Sequence, residues 1–248
     1  MHDKRVHRMD DPNVIVPLLC KYFSPDSVID FGCGTGNFLY KFKECGATKV
    51  LGIDGEWSKN ELQMLKGDEL LIKNLNDEIG VKDRFDLAVS LEVAEHIDKK
   101  YAEKIIKDLA NFSDVIVFSA AVPNQWGQNH INEQWPDYWV KQFNAIGYDC
   151  YDVLRPVLWN NPNVSFWYKQ NMFVAVNASN KKQIQKLLSN FPSVNDDNKN
   201  VVPSLVHPDH FGSKIKRINS LNHTIKLYKG KGSLREYAKE VVKMFKKK

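Results

Sequence analysis

The stretch SVIDFGCGTGNFLYKF, residues 27–42, decides the fold. It runs from a β-branched apolar segment, through glycines at 32, 34 and 36, into an amphipathic run. A strand ending near Asp30, a glycine turn and a helix make the first half of a βαβ unit. Glycines in such a turn let the main chain approach a ligand held against the amides that open the helix. The dinucleotide fingerprint reads G-x-G-x-x-G. Here Asn37 stands where its third glycine belongs, and the spacing is G-x-G-x-G behind Asp30. A carboxylate beside the turn repels phosphate and suits a ligand carrying an ammonium or sulfonium group.

Outward from this turn, short runs rich in Val, Ile and Phe alternate with segments of helical period, the pattern of βαβ units and a mainly parallel sheet. The spacing predicts strands at 27–31, 49–53, 69–72, 86–90 and 114–120, and helices over 13–22, 38–45, 98–111 and 136–146. The last helix, in PDYWVKQFNAIG, has proline early and glycine at its end, as helix termini prefer. Two later strands, 149–157 and 170–176, are placed to pair antiparallel. Past Val176 come a short helix, a polar Asn/Asp/Lys linker and a final helix with Leu234, Tyr237, Val241, Val242 and Phe245 at helical spacing. The expected organisation is an N-terminal helical segment (1–26), an α/β domain (27–176) and a basic C-terminal extension (177–248), partly helical.

A chain of 248 residues is long enough to bury a sizeable core. Its apolar runs fall short of the roughly 20 residues of a membrane-spanning helix, and MHDKRVHRMDD lacks the apolar core of a secretory signal. A cytoplasmic protein without a membrane span is expected. Cysteines at 20, 33, 45 and 150 form no CxxC pair, which points to free thiols and away from a structural zinc; no metal is expected. The net charge of +5 is uneven. Residues 177–248 hold 16 Lys and Arg against 5 Asp and Glu, a charge of +11, while the first 176 hold 19 against 25, or −6. The basic balance is a property of the tail.

Three ordered pieces, VIDFGCGTGNF, VLGIDG and FDLAVSLEVAEHI, resemble the class I S-adenosylmethionine-dependent methyltransferases over about residues 27–176. The resemblance implies a doubly wound α/β fold, Rossmann-like, with a mainly parallel seven-stranded sheet whose last strand is antiparallel, and S-adenosyl-L-methionine as cofactor. Gly32, Cys33, Gly34 and Gly36, with Asn37 after them, would line its methionine and ribose portion, and Asp30 would lie near its amino group. Asp54, 18 residues past Gly36, would hold the ribose hydroxyls, with Gly55 or Glu56 near the adenine. In KNLND, Asn74, beside Leu75, stands where the family usually has an acidic residue reading the adenine amino group. Leu91 and Glu92 would border the methionine end, while Glu95 and His96 open the next helix.

Methyl transfer from a sulfonium is a direct displacement, so the protein must align a nucleophile and exclude water; a hydroxyl acceptor also needs a general base. The chain lacks both an Asn/Asp-Pro-Pro-aromatic motif after the fourth strand and a cysteine in the strand-end loops to attack a pyrimidine. Its unusual chemistry gathers in SAAVPNQWGQNHINEQWPDYW, residues 119–139, beyond the fifth strand. His130 is expected as the base, with Glu92 and Glu133 as competing candidates. Asn129, Asn132 and Gln134 offer hydrogen bonds to a polyhydroxylated acceptor, and Trp126, Trp135, Trp167 and Tyr168 offer flat faces for a sugar ring. NHINEQWPDYWVKQF, GYDCYDVLRPVLW, WYKQNMFVAV and LVHPDHF resemble a subgroup of these enzymes found with polysaccharide and glycan assembly genes. That resemblance implies O-methylation of a sugar hydroxyl in a glycan, glycoconjugate or nucleotide sugar, with LVHPDHF as a cap and His207 and His210 structural. Two alternatives stay open: an RNA methyltransferase that uses the basic tail, and a catalytically inactive scaffold that keeps the fold.

Overall fold

Successive side chains of a strand point to opposite faces of its sheet, and here both faces are apolar. In β5 (Val115–Ser119), Val115 and Val117 join one buried layer while Ile116 and Phe118 join the other. A computed structural model describes residues 9–60, 63–195 and 197–239. The remaining strands are β1 (Ser27–Phe31), β2 (Lys49–Asp54), β3 (Leu70–Ile72), β4 (Leu87–Leu91), β6 (Tyr148–Tyr151) and β7 (Phe173–Asn177), in the order β3-β2-β1-β4-β5-β7-β6. β1 pairs in parallel with β2 and β4, β2 with β3, and β4 with β5. β7 runs antiparallel to both β5 and β6. The fold is a doubly wound, mainly parallel seven-stranded sheet with its last strand antiparallel.

Helices cover the two faces. α1 (Asp10–Phe23) and α2 (Asn37–Glu44) bury Ile15, Val16, Leu19, Leu39 and Phe42 on one side, joined by Leu187 of α7 (Lys181–Asn190). On the other side α3 (Ala102–Phe112) and α4 (Pro136–Ala145) bury Ile105, Ile106, Leu109, Trp139 and Phe143. Spacings of three and four residues put these side chains on one stripe of each helix. The chain divides into two compact units, the first ending at Leu205 and the second beginning at Val206, where α8 (Pro208–Tyr228) lies. Among the described residues no helix is long and apolar enough to cross a membrane.

The strand order reverses between β1 and β4, and in an open α/β sheet ligands bind beyond the carboxyl ends of the strands at such a point. This places the β1–α2 glycine turn opposite the residues that follow β4 and β5.

Several elements differ from the reading of the sequence. The strand expected at 149–157 stops at Tyr151, and Arg155–Leu158 form a short helix, α5. Pro156 has no N–H for a ladder, and the buried Arg155 turns the chain inward to reach Asp152 (2.6 and 2.8 Å) and the carbonyls of Gln170 and Pro203. Gln170 and Asn171, expected in a strand, end α6 (Phe166–Asn171) instead. Glu95 and His96 sit in a single 3₁₀ turn, Ala94–His96, and α3 begins only at Ala102. The 21-residue α8 has no counterpart in the sequence reading. Of the expected final helix, Val241, Val242 and Phe245 lie outside the described residues.

Candidate active site

The glycine turn follows β1 directly. Gly32, Gly34 and Gly36 all take positive φ (78°, 57° and 78°), a region glycine enters without steric cost. A Cβ on Gly32 would lie 2.4 Å from Val93 Cγ2, and one on Gly36 2.4 Å from Leu65 Cγ. At these two positions the missing side chain also makes room for protein packing. The segment carrying Leu65 lies on the turn: Gln63 Nε2 donates to the Gly34 carbonyl (3.0 Å) and Met64 N to that of Thr35 (2.9 Å).

Asp54 ends β2 and joins the two strand ends. Its Oδ2 accepts from the Gly34 amide and its Oδ1 from the Gly55 amide, both at 2.7 Å. Asp30 is buried beside it, and burial, reinforced by the Asp54 charge, pushes its pKa up to about 8. Burial and then the same two carboxyls raise the Cys33 thiol. DFGCGTGNF holds no lysine or arginine, so this donor set of amides and buried carboxyls favours a cation. S-adenosyl-L-methionine, with an ammonium and a sulfonium, fits that chemistry, and Asp30, Gly34, Asp54 and Gly55 are the residues that would hold it. Asn37 opens α2, and its Oδ1 accepts from the Phe38 amide. Asn74 closes a local turn by accepting from the Asn76 amide, and Leu75 and Leu91 are buried.

Across the crevice, Glu92 follows β4 with φ at 57°, a left-handed conformation that costs a non-glycine residue about 1–2 kcal/mol. It is over-determined by its partners. Its amide donates to Ser119 at the end of β5, and its carboxylate accepts from Gln125 Nε2 (2.7 Å) and Asn171 Nδ2 (3.0 and 3.2 Å). Gln125 Oε1 in turn accepts from Asn171 and Gln170. Desolvation raises the Glu92 pKa, and these hydrogen bonds offset part of the rise. Sequence reasoning missed Gln125, Gln170 and Asn171. Their signal was a run of amides at strand ends, in VPNQW and YKQNMF.

The loop after β5 is fastened by Glu133. Its carboxylate accepts from the amides of Asn124 (2.7 Å) and Trp126 (2.8 Å), both left-handed, and Oε1 lies 2.8 Å from His130 Nδ1. A carboxylate acceptor fixes the proton on Nδ1, which leaves the Nε2 lone pair of a neutral ring facing the other way. There Nε2 lies 4.0 Å from Glu95 Oε1, and the His130 ring stands edge-on to His96 at 4.9 Å. A Cβ on Gly127 would fall 1.9 Å from Nε2, so the ring occupies the space that this glycine leaves. The structure thus brings His130 and Glu133 together, with Glu133 as the group that orients the ring.

The expected acceptor residues divide. Asn132 is buried, with Nδ2 on the Ala94 carbonyl and Oδ1 on Gln134 Nε2, and the Asn129 carbonyl lies 3.3 Å from His96 Nδ1; these contacts hold the loop together. Trp126 and Trp135 are 52% and 37% exposed. Trp167 packs against the layer of α1 and α2, and Tyr168 is buried edge-on to Phe38.

A doubly wound sheet with an antiparallel last strand, a glycine turn at its switch point and acidic residues ending β1 and β2 defines a class, the methyltransferases. A family model described as a methyltransferase domain matches residues 14–145, just over half of the chain, and the chain belongs to that family. The mitochondrial ubiquinone biosynthesis O-methyltransferase of Dictyostelium discoideum is 32% identical over 104 residues, 33% of this chain and 32% of that protein. The chain therefore aligns with about a third of the curated relative it matches. Among solved structures, the sugar N-methyltransferase KedS8 from Streptoalloteichus sp. ATCC 53650 superposes with a TM-score of 0.54 at 12% identity, over 70% of this chain and 89% of that one. Magnesium protoporphyrin IX methyltransferase from Synechocystis PCC 6803, with bound SAH, gives 0.50 at 18% identity, over 70% and 84%. At such identities the likeness is one of fold.

Proposed function

We propose that the protein transfers the methyl group of S-adenosyl-L-methionine to a hydroxyl of a sugar, in a glycan, glycoconjugate or nucleotide sugar. The observation that carries this reading is the His130–Glu133 pair at the carboxyl end of β5, beside Glu92 and across the switch point from the glycine turn. The cofactor, when bound, supplies an electrophilic methyl carbon. The protein's own residues do the rest: Asp54 and the glycine turn hold the cofactor, Glu133 keeps the His130 proton on Nδ1, and the Nε2 lone pair acts on the acceptor hydroxyl. The exposed rings of Trp126 and Trp135, in the same loop, suit the apolar face of a sugar. The likeness to a sugar methyltransferase supports the fold of such an enzyme and leaves the acceptor to experiment. The site lies in the first unit.

The test is a labelled-methyl screen over nucleotide sugars, methyl glycosides, oligosaccharides and bulk RNA. Label on a sugar oxygen is the expected result. Label on RNA would overturn it and assign the +11 tail to substrate binding.

A further inference from the structure

Glu95 is a buried carboxyl group with one oxygen 4.0 Å from His130 Nε2. Neither of its side-chain oxygens makes a hydrogen bond. Burial pushes its pKa well up, and the neighbouring Glu92 pushes it further. Removing a carboxyl group from water without replacing its hydrogen bonds costs several kcal/mol, so such a group calls for an occupant that repays it. Two imidazoles stand beside it. One ligand atom from each of Glu95, His96 and His130 lies within 4.8 Å of the others.

We propose that Glu95, His96 and His130 bind a divalent first-row transition metal ion. Two imidazoles and one carboxylate form a donor set that suits ions such as zinc or manganese and leaves coordination positions open. Donors about 2.1 Å from a shared ion stand roughly 3.0–3.4 Å apart, so the set must contract by about 1 Å. The supports are in place. Glu133 holds Nδ1 of His130, which directs Nε2 toward Glu95, as the outer partner of a metal-bound histidine does. The two segments that carry the donors are clamped to each other, because the amides of Ile131 and Asn132 both donate to the Glu95 carbonyl, at 2.9 and 3.0 Å. Glu92, electrostatically coupled to Glu95 and His130, adds a second negative charge that a cation would neutralise.

This inference deepens the proposed function and rests on it for its role. The single Nε2 lone pair takes either a proton or a cation, so with the ion bound His130 would be a ligand and no longer the base, and the ion would instead bind the acceptor oxygen and lower the pKa of its hydroxyl. Binding itself is independent of any acceptor, and that separates the two claims.

The full chain, stripped with chelator, is titrated calorimetrically with Zn²⁺ and with Mn²⁺, and separately with S-adenosylhomocysteine. The expected result is one ion per chain, bound at least tenfold more weakly by Glu95→Gln and by His96→Gln, with S-adenosylhomocysteine affinity within about twofold of wild type in both. Glu95→Gln keeps the side chain's shape and removes a carboxyl group that makes no hydrogen bond, so it should fold. A thermal midpoint that the ion raises in wild type and leaves unmoved in Glu95→Gln gives the same answer by a second route. Absence of stoichiometric binding, or binding that both substitutions leave unchanged, overturns the proposal. Ion binding without methyl transfer to any sugar supports it and removes the acceptor reading. Methyl transfer that chelator leaves unchanged, with no ion bound, does the reverse.

Discussion

Gly32→Ala separates packing from ligand binding in the glycine turn. The new Cβ would lie 2.4 and 2.8 Å from the two γ carbons of Val93, on a backbone with φ at 78°. The left-handed conformation costs about 1–2 kcal/mol for alanine and the overpacking about 1–3 kcal/mol, so a loss of roughly 2–5 kcal/mol is expected. Val93→Ala removes both γ carbons and leaves Val93 Cβ at 3.1 Å, tight but tolerable. In the double variant the overpacking largely disappears and the φ strain stays, which amounts to a favourable coupling of about 1–3 kcal/mol. Urea denaturation of the wild type, both single variants and the double variant, without cofactor, measures this cycle. Stability of Gly32→Ala within 0.5 kcal/mol of wild type, together with lost cofactor affinity, would refute the reasoning and return the glycine to a ligand-facing role.

Three further outcomes are expected. Asp30 ionises near 3.8 in the unfolded chain and near 8 in the folded one, so the unfolded state releases its proton first as pH rises. Stability of the cofactor-free protein should therefore fall between about pH 4 and pH 8, by on the order of 5 kcal/mol, and Asp30→Asn should flatten that slope in thermal melts. His130→Ala should lower turnover by about 100-fold or more with S-adenosylhomocysteine affinity nearly intact, as calorimetry and initial rates will show. Gly127→Ala should lower turnover as well, because its Cβ would displace the His130 ring; unchanged rates would mean that the ring's position is not critical.

The fold was legible where local chemistry and tertiary structure agree. Val28 to Phe31, the glycines behind them and the Pro136 and Gly147 boundaries of α4 carry their own instructions, and strands and helix formed where the periods placed them. Legibility failed where one side chain outweighed the local pattern. Apolar residues run through DVLRPVLW, yet the need of buried Arg155 for Asp152 and two carbonyls curls the chain into α5. Gln170 and Asn171 read as the start of a strand because their partners lie far away in sequence, Gln125 for the first, 45 residues off, and Glu92 for the second, 79 residues off. α8 was missed because its asparagines, serines and histidines blur the helical period, although Pro208 after His207 marks a helix start.

The cofactor half of the site was assigned through the family resemblance that the glycine turn and VLGIDG carry; Asp30, the glycines and Asp54 belong to consecutive elements, and the structure brings them together. His130 and Glu133 were visible because they stand three residues apart in one loop. Glu95 was not. Its meaning comes from contact with a ring 35 residues downstream and from the absence of any hydrogen bond to its oxygens, neither of which a sequence displays.

The most direct test of the central claim is calorimetric titration of S-adenosylhomocysteine into the wild type and Asp54→Ala. The account predicts one molecule per chain for the wild type and at least tenfold weaker binding for the variant, since the carboxylate that would hold the ribose also fixes the Gly34 and Gly55 amides. No binding by the wild type, or equal binding by the variant, would contradict it.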